Sequence, residues 1–214
     1  MIAYRMKLMS LSTALLIGAS VACVTHTPVR PEQKDESYVT TVVPTVVPRV
    51  VPTAVPTDVD TIVWMMKRNP NLSESNAFQI YDHVKATIKK YKQDPAYQKG
   101  AVSEITPKMA VAIIARESSF DPATLGSLGE VGLMQIYPKY HIKDLKSSGI
   151  ITQKKDLWKI ETNISAGIHV LMGYARTART AEHALAIYNA GASRWKAGRS
   201  YARTVLQLTK QIDG

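Results

Sequence analysis

An acidic residue, Glu117, ends the apolar run MAVAIIARE and is followed at once by the polar and aromatic stretch SSFDP. The apolar run is typical of a buried helix, so its last residue should lie where the protein core meets solvent. A helix C-terminus disfavours negative charge, and partial burial disfavours it further. Both effects raise the pKa of a carboxyl group, which suits a general acid near neutral pH. A simple surface ion pair with Arg116 is the alternative interpretation.

Downstream of Glu117, the stretch GSLGEVGLMQIYP contains three glycines within residues 126–132. Such spacing permits tight turns and the close approach of a ligand to the backbone. In a later segment, ALAIYNAG, Tyr188 and Asn189 stand near the end of a predicted helix that Gly191 terminates. A tyrosine hydroxyl that donates to Glu117 would orient the carboxylate and tune its pKa. A core aromatic residue is the simpler role for Tyr188.

These blocks resemble the Slt-type, or goose-lysozyme-like, lytic transglycosylases. The family pattern runs Glu-Ser-x-Phe-x-Pro, then Gly-x-x-Gly-Leu-Met-Gln-Ile and a proline, and the chain meets it between Glu117 and Pro138. The segments NISAG and YNAG supply two further blocks in the family's order, and YARTVL, from Tyr201, resembles its closing helix. The resemblance covers residues 75–210 and implies a mainly α, lysozyme-like fold.

The sequence departs from the family pattern at two positions. Gly126 stands where many relatives have a serine that is thought to help to position the glutamate or the acetamido group of the substrate. Glu130 replaces a small residue, and we interpret it as a solvated loop charge. The candidate substrate-binding residues are Ser127, which is next to Gly126, and Gln135, Tyr188 and Asn189.

The resemblance implies cleavage of peptidoglycan by a single catalytic carboxylate. Glu117 would protonate the glycosidic oxygen of the β-1,4 bond between MurNAc and GlcNAc, while the substrate's own 2-acetamido oxygen stabilises the oxocarbenium-like centre. Glu117 would then accept the proton of the 6-hydroxyl, which closes on the anomeric carbon to leave a 1,6-anhydroMurNAc end. The reaction consumes no water and is therefore that of a lyase.

Two other functions stay open on the sequence. A hydrolytic muramidase on the same fold would need a second well-placed acid, and Asp121 and Glu130 are the nearby candidates. A non-catalytic module that binds peptidoglycan for envelope assembly would use the same surface without cleavage. We expect no cofactor and no metal, because His141, His169 and His183 lack metal-ligand spacing.

The elements that must position these residues are helices. Apolar spacing and capping signals predict helices over residues 58–69, 73–92, 106–117, 161–178, 180–190 and 199–212, and no convincing strand pair. Ser73 and Thr106 are the predicted caps, and Gly191 is a predicted stop. The basic segment 143–156 is expected to be a solvated loop. The globular domain is expected over residues 58–214.

The first 57 residues carry signals for export and spacing. Arg5 and Lys7 precede a short apolar run, a pattern typical of a signal peptide over residues 1–22. The single cysteine, Cys23, follows and resembles the lipid-acceptor residue of a bacterial lipoprotein; ordinary cleavage after Ala22 is the alternative. Residues 23–57 form a Pro/Val/Thr-rich linker, whose regularly spaced prolines predict an extended polyproline-like spacer.

The formal net charge is +10, and most of it belongs to residues 58–214. A basic domain favours an anionic partner. Because the chain is predicted to be exported, we expect that partner to be peptidoglycan and not nucleic acid. The lipid anchor would attach the protein to a membrane of the cell envelope, with the domain facing the periplasm.

Overall fold

The computed structural model of the protein describes residues 56–213, and this part of the chain is mainly helical. Its α-helices are α1 Pro56–Arg68, α2 Glu74–Gln93, α3 Pro107–Glu117, α4 Pro138–Ser147, α5 Ile160–Ala175, α6 Ala181–Ala190 and α7 Arg199–Asp213. Short 3₁₀ segments cover Pro95–Tyr97, Val102–Glu104, Lys154–Trp158 and Ala192–Gly198. Residues 56–213 contain no strand, only isolated bridges of Val131 with Leu125 and with Ile136. The predicted fold class is confirmed.

The predicted signal peptide, Cys23 and the linker up to residue 55 lie outside the described residues. Among the helices of residues 56–213, none is long and apolar enough to cross a membrane.

Local sequence explains where several helices begin and end. The hydroxyl of Ser73 accepts the backbone N–H of Asn76 at 3.2 Å, and that of Thr106 accepts the backbone N–H of Met109 at 3.2 Å. Each cap satisfies an N–H group that the first helical turn leaves free. Gly191, with φ 79°, ends α6 in a conformation that favours glycine. These three signals were predicted from the sequence and are confirmed.

Two segments differ from the prediction. α1 begins at Pro56, inside the predicted linker, because proline fits the first helical turn, where no N–H donor is needed. The segment 143–156, expected to be a solvated loop, begins inside α4 and ends at the buried Asp156. The Asp156 carboxylate accepts the backbone N–H groups of Gln153 and Thr152, each at 3.0 Å. These bonds hold the pKa of Asp156 well below its usual range.

Every one of the seven α-helices places a fully buried apolar side chain in one common core. In chain order these are Met65, Val84, Ile113, Leu145, Ile168, Leu185 and Val205. In α3 six consecutive residues, from Ala110 to Ala115, are at most 4% exposed. It packs against α1, α2 and α7. A helix that is apolar on all sides is stable in water only inside such a cage.

Asn163 of α5 joins this helical core to residues 124–136, which we name the cleft loop. The side chain is 1% exposed, and its Oδ1 accepts the N–H of Met134 at 2.8 Å. Its Nδ2 donates to the carbonyl oxygens of Val131 and Leu157, both at 2.8 Å. A Cβ at Gly132 would clash with this amide, so the loop can approach α5 only through a glycine.

We predict that Asn163→Ala destabilises the protein by about 3 kcal/mol, because it leaves the buried N–H of Met134 without a partner and removes a hydrogen bond from each of two carbonyl groups. Urea unfolding followed by circular dichroism measures the change. Asn76→Ala, the same substitution at an exposed site of α2, should change the free energy of unfolding by less than about 0.5 kcal/mol. Equal effects of the two substitutions would contradict this account of Asn163.

Candidate active site

The chain turns sharply directly after Glu117, the last residue of α3. Ser119 and Phe120 have φ of 50° and 67°, a left-handed conformation that is uncommon outside glycine. Phe120 is nevertheless 1% exposed, so the turn drives its ring into the core. The buried Ser118 hydroxyl donates to the Leu133 carbonyl at 2.9 Å and so ties the end of α3 to the cleft loop. Strained backbone of this kind often marks a functional site.

The half-buried Glu117 has the electrostatic environment of a general acid. Burial raises the pKa of its carboxyl group, and the negative charge of Glu130 raises it further. The Tyr201 hydroxyl and the charge of Arg116 act in the opposite direction, but the net effect is a pKa above the ordinary value for glutamate. Glu117 therefore lies at the edge of the core, as its place in the sequence predicts.

Tyr201, at the start of α7, faces Glu117 and is the residue that the sequence analysis did not assign to the site. It is 8% exposed, and its hydroxyl forms no hydrogen bond of normal geometry within the described residues. The hydroxyl still lies close enough to the carboxylate to lower the pKa of Glu117. Burial first, and then the charge of Glu117, raise the pKa of Tyr201 well above its ordinary value. Catalytic hydrogen bonds are often long before a substrate binds.

A signal for Tyr201 was present in the sequence. The buried face of α7 also carries Val205, Leu208 and Ile212. A single hydroxyl group at one end of such an apolar stripe calls for a polar partner across the helix interface.

Tyr188 also lies near Glu117, but its hydroxyl is already engaged. It donates to the Met134 carbonyl at 2.7 Å and thereby holds the cleft loop against α6. Burial, and then the charge of Glu117, raise the pKa of Tyr188 well above its ordinary value. The sequence suggested that Tyr188 donates to Glu117, whereas in the structure Tyr201 faces that carboxylate. The neighbouring Asn189 is exposed.

Gln135 closes the cleft loop from within. It has φ 46°, and its Nε2 donates to the carbonyl oxygens of Thr124 at 3.1 Å and Gly132 at 2.8 Å. Both amide hydrogens are therefore used inside the protein, which leaves the side-chain oxygen as the group that can accept from a substrate. Ser127 is exposed on the turn of the same loop.

Gly126, Glu130 and Gln135 meet in the interior of the cleft loop. The N–H of Gly126 donates to the Glu130 carbonyl at 2.8 Å, and the N–H of Leu128 donates to Glu130 Oε2 at 3.0 Å. A Cβ at Gly126 would clash with Glu130 Oε2 and would lie 2.7 Å from Gln135 Oε1. Glu130 is half-buried, and besides its place in the loop its carboxylate is bonded to the loop backbone.

Two of the three histidines considered as metal ligands make other contacts. His169 contacts the Tyr91 hydroxyl at 2.7 Å and Asp144 at 2.9 Å, while the His183 ring packs against Trp195. Within residues 56–213, no group of three or more His, Cys, Asp and Glu side chains could hold a metal ion.

We predict that Tyr201→Phe raises the pKa of Glu117, because the substitution removes the hydroxyl group that stabilises the charged carboxylate. Carbon-13 NMR titration of the glutamate carboxyl groups measures this pKa, with the Glu117 signal assigned by its loss in Glu117→Gln. Tyr140→Phe, at a side chain 68% exposed, serves as the control and should leave the titration unchanged. A Glu117 pKa that stays constant or falls in Tyr201→Phe would contradict the contact.

Comparison with known proteins places this arrangement in a family. The transglycosylase SLT domain model matches residues 94–207, from the end of α2 to most of α7. No curated protein matches the sequence significantly. Among solved structures, the 70-kDa soluble lytic transglycosylase SLT70 from Escherichia coli is similar, with a TM-score of 0.50 and 22% identity over 72% of this chain and 28% of that one.

A complex of the 70-kDa soluble lytic transglycosylase with bulgecin A matches with a TM-score of 0.44 and 23% identity, over 69% of this chain and 25% of that one. The chain thus spans less than a third of the length of these proteins, and the likeness to SLT70 shows a shared fold. Since the family model covers more than half of the sequence, the chain belongs to the transglycosylase SLT domain family.

Proposed function

We propose that this protein is a lytic transglycosylase that cleaves the β-1,4 bond between MurNAc and GlcNAc in peptidoglycan and leaves 1,6-anhydroMurNAc ends. The raised pKa of Glu117, at the end of the buried helix α3, carries the proposal. A carboxyl group with a raised pKa holds its proton to higher pH, which suits a general acid. Membership of the SLT family and the fold shared with a soluble lytic transglycosylase support this class of reaction.

In the proposed reaction, Glu117 first donates a proton and later accepts another. Glu117 donates its proton to the glycosidic oxygen as the bond to the anomeric carbon breaks. The acetamido oxygen of the substrate meets the positive charge that develops at this carbon. The Tyr201 hydroxyl then stabilises the carboxylate that remains, in line with its effect on the pKa of Glu117. Glu117 recovers a proton from the 6-hydroxyl as that oxygen bonds to the anomeric carbon.

In this proposal, three of the remaining candidate residues can contact the glycan directly and one acts indirectly. The side-chain oxygen of Gln135 and the exposed Ser127 and Asn189 are available to hydroxyl and acetamido groups of the glycan. Tyr188 acts indirectly, because its hydroxyl donates to the Met134 carbonyl and so holds the cleft loop in place.

We also propose that the protein works at the cell envelope. Export by the signal peptide and lipidation of Cys23 would tether the domain to a membrane, and the proline-rich linker would let it reach glycan strands in the periplasm. Polyproline segments extend by about 3.1 Å per residue, so residues 42–55, the part of the proline repeat before α1, would span roughly 43 Å in that conformation.

A hydrolytic muramidase is the second candidate, and one observation favours it. Glu130 brings a second carboxylate close enough to raise the pKa of Glu117. In glycosidases that invert configuration, a second carboxylate activates the attacking water. The two candidates give different products, since hydrolysis adds one water to each fragment and leaves a reducing end.

We predict that the wild-type protein releases fragments with 1,6-anhydro ends from purified sacculi and that Glu117→Gln reduces this release at least about 100-fold. Glutamine keeps the shape of the side chain but cannot supply the proton. Mass spectrometry of the soluble fragments is the measurement. Glu74→Gln, the same substitution at an exposed position of α2, should retain wild-type release.

The alternatives have distinct outcomes in the same assay. Fragments heavier by one water would replace the lyase with a hydrolase. Binding of the wild-type protein to sacculi without any soluble fragment would instead support a non-catalytic binding module. Undiminished release by Glu117→Gln would remove Glu117 from the mechanism.

A further inference from the structure

We propose that Glu130 is a positioning residue that, together with Gly126, replaces the serine of the family pattern: its carboxylate accepts the N–H of the substrate's 2-acetamido group and aims the acetamido oxygen at the anomeric carbon. The inference rests on the proposed function, because it concerns a step of the same reaction.

The two departures from the family pattern form a single structural unit. A side chain at Gly126 would clash with Glu130 Oε2, so a serine there would force the flexible end of the glutamate out of its present place. Gly126 is not among the glycines with positive φ, which means that its backbone conformation does not demand glycine. In the present arrangement the Glu130 carboxylate occupies the space that a side chain at Gly126 would use.

The loop holds this carboxylate in place through one of its oxygens. Oε2 of Glu130 accepts the N–H of Leu128 at 3.0 Å, and the N–H of Gly129 donates to the Gly126 carbonyl at 3.0 Å, which closes the turn. Within the described residues no lysine, arginine or histidine forms an ion pair with Glu130. A carboxylate has about four acceptor positions, so most of its capacity remains for a ligand.

Glu130 also belongs to the loop that is tied to the end of α3, because the Ser118 hydroxyl, next to Glu117, donates to the Leu133 carbonyl at 2.9 Å. The negative charge of Glu130 raises the pKa of Glu117, so the two carboxyl groups are near enough to interact. A substrate whose glycosidic oxygen contacts Glu117 therefore brings the groups next to its anomeric carbon towards Glu130. The 2-acetamido group is attached to the carbon directly adjacent to that centre.

The chemistry of the acetamido group explains what a carboxylate would contribute. As the glycosidic bond breaks, the glycosidic oxygen takes the proton of Glu117, and the acetamido oxygen bonds to the anomeric carbon. The acetamido nitrogen then gains positive charge, so its N–H donates more strongly to Glu130 than before. The 6-oxygen next displaces the acetamido oxygen, and its proton returns to Glu117. Glu130 exchanges no proton and acts through an interaction that is strongest in the transition state.

The steric dependence between Gly126 and Glu130 is tested by comparing Gly126→Ser, Glu130→Ala and the double variant. The double variant restores the serine and the small residue of the family. We expect each single substitution to lower kcat/KM for release of anhydro fragments by roughly 10- to 100-fold, the effect of losing a charge-assisted hydrogen bond. The double variant should be at least about tenfold more active than Gly126→Ser, because the serine no longer meets the carboxylate. If the loss of kcat/KM in the double variant is instead the product of the two single losses, Gly126 and Glu130 act independently and the inference is overturned.

The pH profile of Glu130→Gln tests the charge separately and keeps an acceptor for the Leu128 N–H. Without the neighbouring negative charge the pKa of Glu117 falls, so the alkaline limb of kcat/KM should move to lower pH as the rate declines. A purely structural role would lower the rate without this movement. Full activity with an unshifted profile would overturn the inference, even if Gly126→Ser fails to fold.

The wild-type protein separates this test from that of the proposed function. Wild-type release of anhydro fragments together with an inert Glu130→Gln substitution would refute only the role of Glu130. Absence of such fragments from the wild-type reaction would refute the lytic transglycosylase itself.

Discussion

The candidate active site depends on one constraint: a carboxyl group must stay at the edge of the core without a full counter-charge. α3 achieves this because α1, α2 and α7 enclose it up to its last turn, where Glu117 stands. The exposed Arg116 and the buried Tyr201 hydroxyl each offset part of the cost of burial. Enclosure that raises the pKa of Glu117 and partners that stabilise its charged form both serve the proposed mechanism, which would use the residue in both states.

The cleft loop faces this acid but has little structure of its own. It contains only two isolated bridges, and its position is fixed from outside by Ser118, Asn163 and Tyr188, each of which binds a backbone group of the loop. These three residues come from the end of α3, from α5 and from α6. A shift of any of these three elements would therefore move the cleft loop, so the packing of the bundle determines the position of the loop.

The parts of this architecture that the sequence predicted are those governed by local interactions. Thr106 and Gly191 act on their own helix ends, and Glu117 ends an apolar run, so neighbouring residues suffice to interpret them. α4 was missed because only its first residue and Leu145 are buried, which leaves no apolar stripe to detect. The target of the Tyr188 hydroxyl could not be predicted either, because it depends on how helices far apart in sequence cross.

The contact between Glu117 and Tyr201 joins residues that are separated by most of the domain. Tyr201 belongs to α7, which follows every other element of the described core in the order of synthesis. A chain made only as far as α6 lacks the hydroxyl group and the helix that enclose the acid at the end of α3. The environment that raises the pKa of Glu117 therefore requires the whole bundle, and a truncation before α7 would remove it.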